Sequence, residues 1–244
     1  NATVDELSEI GTLLSRVRTH APEPETFAAA ARRLVDAASK LEPTLYDAKG
    51  PSGQDGAVRQ IIWSDVVVCP RCGAESTYAD ARVRYGPLRF DDRFTCSCGH
   101  AGSPDDWRRV LENVVDPWTG KARVRRRRVP WRVYGRSATG NWSRRATHED
   151  AASEAEALAR DLPAGAPISQ LHWGDLHRSG YHQGTTDLHH LYTARNFRAL
   201  ATLWQLIEDE PEDLREALRL LVLSYNAAHS TLMTRVVLKR NSKD

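Results

Sequence analysis

The 244-residue sequence predicts an α+β fold in which helices at both ends of the chain flank a central β-rich region. Apolar residues recur at helical spacing near the start of the chain and again near its end, which is typical of amphipathic helices. Between them, residues 61–68 are β-branched and apolar, a composition that favours a strand. Two close pairs of cysteines and then an arginine-rich stretch follow this strand.

The N-terminal segment is predicted to contain two helices. Thr3 and Glu6 form a capping-box pair ahead of the first helix. Pro24 suits the first turn of the second helix, and Pro43 is expected to end it. A glycine-rich loop then leads to the strand at residues 61–68.

The four cysteines form a metal-ligand pattern. The motif is Cys69-Pro-Arg-Cys72-Gly, a gap of 23 residues, and then Cys96-Ser-Cys98-Gly-His100. A tight turn after a strand presents two thiolates to one ion, and the glycine after each pair lets the backbone close beneath the sulfurs. The pattern predicts a zinc ribbon whose single ion is bound by Cys69, Cys72, Cys96 and Cys98. Four thiolate ligands leave no open position, so this zinc would be structural.

Two alternatives to this ligand set are open. The second pair is one residue shorter than usual, and His100 would replace Cys98 if the short turn cannot aim both sulfurs at the ion. A catalytic Cys-x-x-Cys is the other alternative, although such a motif normally opens a helix in a βαβ setting. Between the pairs, residues 78–85 and 89–95 are predicted to form the strands of a small hairpin.

The charge of the chain is unevenly distributed. The formal net charge is +2, but residues 117–147 contain ten Lys or Arg and no Asp or Glu, which leaves 24 basic and 32 acidic residues elsewhere. The basic residues are Lys121, Arg123, Arg125, Arg126, Arg127, Arg128, Arg132, Arg136, Arg144 and Arg145. Tryptophans and a tyrosine alternate with them, on strands predicted at residues 124–134 and 142–146.

Guanidinium groups suit phosphates and aromatic faces suit bases, so this basic segment predicts contact with DNA. The alternative is a solvated hairpin at the edge of a sheet, with the arginines packed across the tryptophans. Before these strands, residues 116–120 read as a turn. After them, Thr147 and Asp150 start a short alanine-rich helix, and residues 193–208 and a segment beginning near Pro211 form the last two helices.

Histidines are concentrated in the loop before these last helices. Five of the nine lie within 19 residues, at His172, His177, His182, His189 and His190. Their spacing matches no familiar ligand pattern, so packing and hydrogen bonding are favoured over a second metal site.

The chain as a whole divides into five predicted segments. They are a helical segment (3–57), a zinc ribbon (58–115), a basic β extension (116–147), a short helix with the histidine-rich loop (148–190) and the C-terminal helices (191–240).

Three stretches of the sequence resemble one family. They are IWSDVVVCPRCGAE at residues 62–75, VDPWTGK at 115–121 and GYHQGTTDLHHLYTARNFRAL at 180–200. In order and spacing they resemble bacterial adenine-specific DNA methyltransferases that contain a zinc ribbon, and the resemblance extends from about residue 60 to residue 230. It implies an S-adenosylmethionine-dependent parent enzyme that methylates adenine at N6, with DNA and the remainder of the methyltransferase chain as partners.

In that family a glycine-rich loop binds S-adenosylmethionine, and a catalytic Pro-Pro tetrapeptide follows downstream. This sequence contains no Gly-x-Gly and no Pro-Pro, and Asp116-Pro117-Trp118 runs into a Thr-Gly turn instead. The resemblance therefore implies an internal piece of the enzyme, with no catalytic residue of its own and no expected binding of S-adenosylmethionine. Asn1 and Ala2 also resemble a cloning scar, which suggests an excised piece.

The apolar runs are too short to span a bilayer, and all the cysteines suit metal binding, so we expect a cytoplasmic protein with no membrane partner. Two rival functions are compatible with the same residues. One is a stand-alone zinc-ribbon protein that binds nucleic acid. The other is a protein-docking module in which the arginines meet an acidic partner.

Overall fold

The computed structural model describes residues 8–84, 89–172 and 184–230, with the side chains of 226–229 left out. Within this part the chain is α+β, as predicted, and it forms two compact units. The first, here called the helical unit, comprises Asn1–Pro43, Asp161–Gln170 and Asp187–Asp244. The second, here called the β unit, comprises Thr44–Arg160 and Leu171–Thr186.

The described residues form six α-helices and twelve strands. The helices are α1 (Glu9–Thr19), α2 (Pro24–Leu41), α3 (Tyr78–Arg82), α4 (His148–Ala159), α5 (Ala194–Ile207) and α6 (Glu212–His229). The strands are β1 (Asp47–Lys49), β2 (Asp55–Val68), β3 (Glu75–Thr77), β4 (Val83–Arg84), β5 (Arg89–Phe90), β6 (Phe94–Thr95), β7 (Ala101–Gly102), β8 (Arg108–Arg109), β9 (Leu111–Val115), β10 (Ala122–Arg126), β11 (Arg128–Ser137) and β12 (Gly140–Arg145).

The helical unit has a core made by the apolar faces of α2, α5 and α6. Its buried members are Ala30, Leu34, Ile207, Leu214, Leu218 and Val222. Helix α2 begins at Pro24, as predicted, and ends just before Pro43. Helix α1 begins at Glu9, where the Ser8 hydroxyl accepts a hydrogen bond from the Gly11 amide (3.1 Å). The predicted cap at Thr3 and Glu6 lies outside the described residues.

The β unit is built around the 14-residue strand β2. Its first part pairs with β1 and β11 in a sheet of order β1-β2-β11-β12, and its last residues pair with β3 and β8. On the buried face of this sheet, Trp142 of β12 packs directly over its cross-strand neighbour Gly135: a Cβ at that glycine would lie 2.1 Å from the indole. Strand β2 then runs straight into the first cysteine pair, so the sheet positions that pair.

Two predicted elements differ in the structure. Of the first predicted strand of the hairpin, residues 78–82 form helix α3 instead, because the Thr77 hydroxyl accepts the Asp80 amide (2.9 Å) and starts a helix that buries Ala79 and Ala81. Only Val83–Arg84 of that strand remain extended, as β4, and they pair with β5 as the hairpin requires. The predicted strand at 124–134 is broken at Arg127, whose amide donates to the Val110 carbonyl (2.9 Å). This break separates β10, which pairs with β9, from β11, which joins the main sheet.

Other local predictions are confirmed. Gly120 closes the turn after β9 by donating its amide to the Asp116 carbonyl (2.8 Å), and Asp116 Oδ1 accepts the Trp118 amide (2.9 Å). Thr147 and Asp150 form the capping box that starts α4. None of the helices in the described part of the chain combines the length and the apolar character needed to cross a bilayer.

Candidate metal centre

Two tight turns present the four cysteines. After β2, the Cys69 amide donates to the Ala74 carbonyl (2.9 Å), and the Gly73 amide donates back to the Cys69 carbonyl (3.0 Å). Gly73 has φ +72°, a left-handed conformation that a glycine adopts without steric cost. The turn between β6 and β7 repeats this pattern. There the Cys96 amide donates a hydrogen bond to the His100 carbonyl (2.9 Å). Each Cys pair is therefore held by a hairpin.

The two hairpins bring the four sulfur atoms together. Cys69 Sγ lies 3.9 Å from Cys98 Sγ, Cys72 Sγ lies 3.6 Å from Cys96 Sγ, and all four atoms lie within 4.8 Å of one another. A tetrahedron with metal–sulfur bonds of 2.3 Å has edges of about 3.8 Å. The cysteines therefore fit one tetrahedral ion, and the structure shows a cluster able to bind a metal.

The thiols of this cluster ionise unequally. The Cys98 amide and the neighbouring S–H groups donate to the Cys96 sulfur and lower its pKa to about 6. At Cys72 the Ala74 amide lowers the pKa, but the Cys98 sulfur and burial outweigh it and raise the pKa to about 12. A bound cation would stabilise all four thiolates and release the remaining protons.

The position of His100 separates the two proposed ligand sets. Its ring stacks on Trp107, with centroids 6.3 Å apart, while Cys98 occupies the fourth corner of the sulfur cluster. The first pair follows strand β2 and does not open a helix, which is the arrangement of a metal site and not of a redox motif. Beneath the cluster, Phe94 and Trp107 pack edge to face with centroids 5.5 Å apart.

The arginine-rich segment is largely matched by acids of the β unit. Asp65 on β2 accepts from Arg128 (2.9 Å) and from Arg109 (2.9 Å), and Arg126 lies 3.7 Å away. A single carboxylate thus faces three guanidinium groups. Asp65 lies within the stretch of residues 62–75, and a local count of charges gives no sign of this role.

Other arginines of the segment have acids of their own. The ion pairs are Arg125–Glu112 (2.6 Å), Arg127–Glu75, Arg144–Asp150 (2.6 Å) and Arg145–Asp80 (2.5 Å). Arg144 also lies over the Trp142 ring, and Arg145 over the Trp131 ring, at 5.6 and 5.3 Å from the ring centroids. For Arg144 and Arg145 the structure agrees with the alternative interpretation, in which the arginines pack across the tryptophans.

The remaining four cations have different surroundings. Arg123 donates to the Gly184 carbonyl (2.8 Å), and Arg132 donates to the Ser143 hydroxyl (2.9 Å) and lies over the Tyr134 ring. Lys121 is exposed. Arg136 is exposed at the end of β11 and has no acidic partner among the described residues. The ten predicted residues therefore do not form one continuous cationic stripe.

The histidine-rich loop is only partly described. His177 and His182 lie outside the described residues, and His172 is exposed. In the helical unit, His189 and His190 are in ring contact (centroids 4.1 Å apart), and the Asp187 amide donates to His190 Nδ1 (3.1 Å). This contact and this hydrogen bond fit the packing role predicted for them.

A scan against family models and searches of curated proteins and of solved structures found no match. The metal-type cluster and the surface of the sheet next to it are thus the features on which a functional proposal depends.

Proposed function

We propose that this chain is the DNA-engaging, zinc-stabilised part of an S-adenosylmethionine-dependent DNA adenine-N6 methyltransferase. The proposed contact with DNA is supported by one observation, the polar and exposed residues on one face of the β1-β2-β11-β12 sheet. Side chains alternate along β11, so Tyr134 and Arg136 lie on the face opposite buried Val133 and Trp142-covered Gly135.

On this face, two exposed arginines, Arg59 and Arg136, are neighbours of one amide side chain, that of Asn141. Asn141 is the cross-strand neighbour of Arg136, and its Oδ1 accepts from Arg59 of β2 (3.3 Å). Asp47, on the edge strand β1, is the carboxylate in the same row of the sheet. It lies opposite Ala57 and is therefore two strands, or about 9.6 Å, from Arg136. Guanidinium, amide and phenol groups on one exposed face suit phosphate and sugar contacts.

The metal in this proposal is zinc, bound by Cys69, Cys72, Cys96 and Cys98 of a zinc ribbon. Four thiolates in a tetrahedron favour a soft, four-coordinate ion and leave no position for substrate. A small unit of short strands buries little apolar surface, so the ion would hold it folded. Zinc would hold the two cysteine hairpins at the end of β2, the strand that also carries Arg59.

The methyltransferase assignment is supported by the three stretches quoted above. In this proposal the chain lies between the cofactor-binding loop and the catalytic motif of the parent enzyme. The sheet would contact the DNA backbone beside the target base, which such enzymes turn out of the duplex. The isolated chain is expected to transfer no methyl group from S-adenosylmethionine to unmethylated DNA.

The experiment measures duplex binding by fluorescence anisotropy at several salt concentrations. Each phosphate contact contributes about 0.9 to the slope of log affinity against log salt. Replacing Arg59 and Arg136 by Gln should weaken binding and reduce that slope by about 2. The matched control, Arg125→Gln with Arg127→Gln, also removes two charges, but these are already paired with Glu112 and Glu75.

The expected result is a large effect of the first pair of substitutions and a small effect of the control pair. Equal effects would show that only bulk charge matters and would contradict the role of this face. Failure of the parent chain to bind DNA, together with salt-sensitive binding to an acidic protein, would favour the docking module. A reading frame without a glycine-rich loop before this segment and a Pro-Pro motif after it would favour a stand-alone nucleic-acid-binding protein.

A further inference from the structure

A cavity of about 350 Å³ lies in the β unit beside the cysteine cluster. Tyr78, Phe94 and Trp107 form part of its wall, together with the charged groups of Arg82, Arg109 and Asp105. Cavities that bind small ligands begin at about this volume. The cavity does not include any of the ten cations of the arginine-rich segment.

Two guanidinium groups flank one aromatic ring in this wall. The Arg82 and Arg109 guanidinium carbons lie 5.9 and 6.0 Å from the centroid of Tyr78. Arg82 donates to Tyr78 Oη (2.6 Å) and to the Asp91 carbonyl (3.0 Å), and no carboxylate pairs with it in the described part of the chain. Two guanidinium groups around one ring make this part of the wall attractive to an anion.

The second guanidinium does not have a carboxylate to itself. Arg109 shares the Asp65 carboxylate with Arg126 and Arg128. Asp105 is the single carboxylate among the residues that line the cavity, and it is exposed. Its backbone amide donates a hydrogen bond to the Ser103 hydroxyl. The cavity therefore has more positive than negative groups.

The aromatic part of the wall bears on whether the cavity suits a nucleic-acid base or a phosphate group. Phe94 and Trp107 are 1% and 3% exposed, so their faces are not available for a base to stack on. The Trp107 indole N–H is buried and has no acceptor among the described residues, while the Trp107 ring forms part of the wall. The polar groups left to a ligand include the guanidinium forks of Arg82 and Arg109, which suit an oxyanion better than a base.

We propose that this cavity binds a phosphate group, supplied by the DNA backbone. The inference rests on the proposed function and adds a second contact point to it, away from the face of Arg59 and Arg136. Because Phe94 and Trp107 pack against the buried cysteines, the metal cluster would hold this site rigid. A contact of this kind positions the DNA without reading its sequence.

Strand β8 offers a matched pair of substitutions. Arg108 and Arg109 are adjacent and both exposed, but only Arg109 lines the cavity, since neighbouring side chains on a strand point to opposite faces. Arg109→Gln should reduce the salt slope of duplex binding by about 1, whereas Arg108→Gln should leave the slope unchanged. Arg109→Lys should restore the slope, because a charge returns. Zinc content and circular dichroism should match the parent in all three variants.

A second readout uses the indole N–H signal of Trp107, whose ring forms part of the wall and which is assigned in a ¹H–¹⁵N spectrum with Trp107→Phe. Titration with inorganic phosphate should shift this signal in the parent chain and in Arg108→Gln, but not in Arg109→Gln. Titration with duplex DNA should shift it at far lower concentration, which identifies the backbone as the source of the phosphate.

Equal salt slopes for Arg108→Gln and Arg109→Gln, with no shift of the Trp107 signal, would overturn the cavity site. The proposed function would survive that result if Arg59 and Arg136 still governed DNA affinity. A shift with inorganic phosphate but no DNA binding by the parent chain would support a phosphate site and overturn the DNA proposal.

Discussion

Arg144 and Asp150 form a two-point ion pair that joins the end of β12 to the start of α4. Arg144 Nη1 lies 2.6 Å from Asp150 Oδ2, and Nη2 lies 2.9 Å from Oδ1. The same carboxylate accepts the Thr147 amide (2.7 Å), and it is 6% exposed. A residue predicted to contact DNA is therefore engaged in holding the fold together.

Removing this carboxylate should destabilise the chain strongly. Asp150→Ala leaves the Arg144 guanidinium and the Thr147 amide without their partner, and breaking a buried pair in this way costs about 3 kcal/mol or more. The free energy of unfolding, from urea denaturation, measures the loss. Glu149→Gln is the control, because it removes an exposed charge from the neighbouring position; an equal loss there would contradict the role of the pair.

The same pair predicts a dependence of stability on pH. Burial raises the pKa of Asp150, but the Arg144 guanidinium and the Thr147 amide outweigh it and hold the pKa below its usual value. A carboxyl whose pKa is lowered by folding stabilises the native state above its unfolded pKa of about 3.9, and this contribution is lost as pH falls through the folded pKa. Urea unfolding between pH 6 and pH 2 should therefore show a steeper acid loss in the parent than in Asp150→Asn. Parallel profiles would contradict this assignment.

The metal site predicts a specific pattern of zinc content. Elemental analysis should find about one zinc per chain, and a zinc–sulfur distance of about 2.3 Å should be measured by X-ray absorption. Cys98→Ser should lower zinc affinity sharply, because one of four thiolates is lost. His100→Ala should retain the zinc, since this ring stacks on Trp107. Loss of zinc in His100→Ala with retention in Cys98→Ser would reverse the ligand assignment.

Gly135 tests the packing of the buried sheet face. A methyl group there would lie 2.1 Å from the Trp142 indole, so Gly135→Ala should destabilise the fold by about 3 kcal/mol. In a Trp142→Leu background the same substitution should cost far less, because the obstructing ring is gone. A double-mutant cycle measured by urea unfolding gives the coupling. Additive effects would show that another neighbour limits this position.

Local sequence patterns were sufficient where the physical cause is itself local. The start of α2 at Pro24, the turn after Asp116 and the capping box of Thr147 all depend on residues within a few positions of one another. The meeting of the four cysteines also follows from two short turns and a hairpin-length gap. The start of α3 depended on an equally local cap at Thr77. Tyr78, Val83 and Tyr85 favour a strand in the sequence and concealed a helix of only five residues.

The sequence by itself determined the fold class, the positions of most helices and the grouping of Cys69, Cys72, Cys96 and Cys98. Only the tertiary structure decided which arginines are neutralised. Arg127, Arg128 and Arg145 meet Glu75, Asp65 and Asp80 across separations of 52, 63 and 65 residues. Coulomb attraction acts through space and not along the chain, so a segment without acids in sequence is surrounded by them once strand pairing brings β2 beside β11.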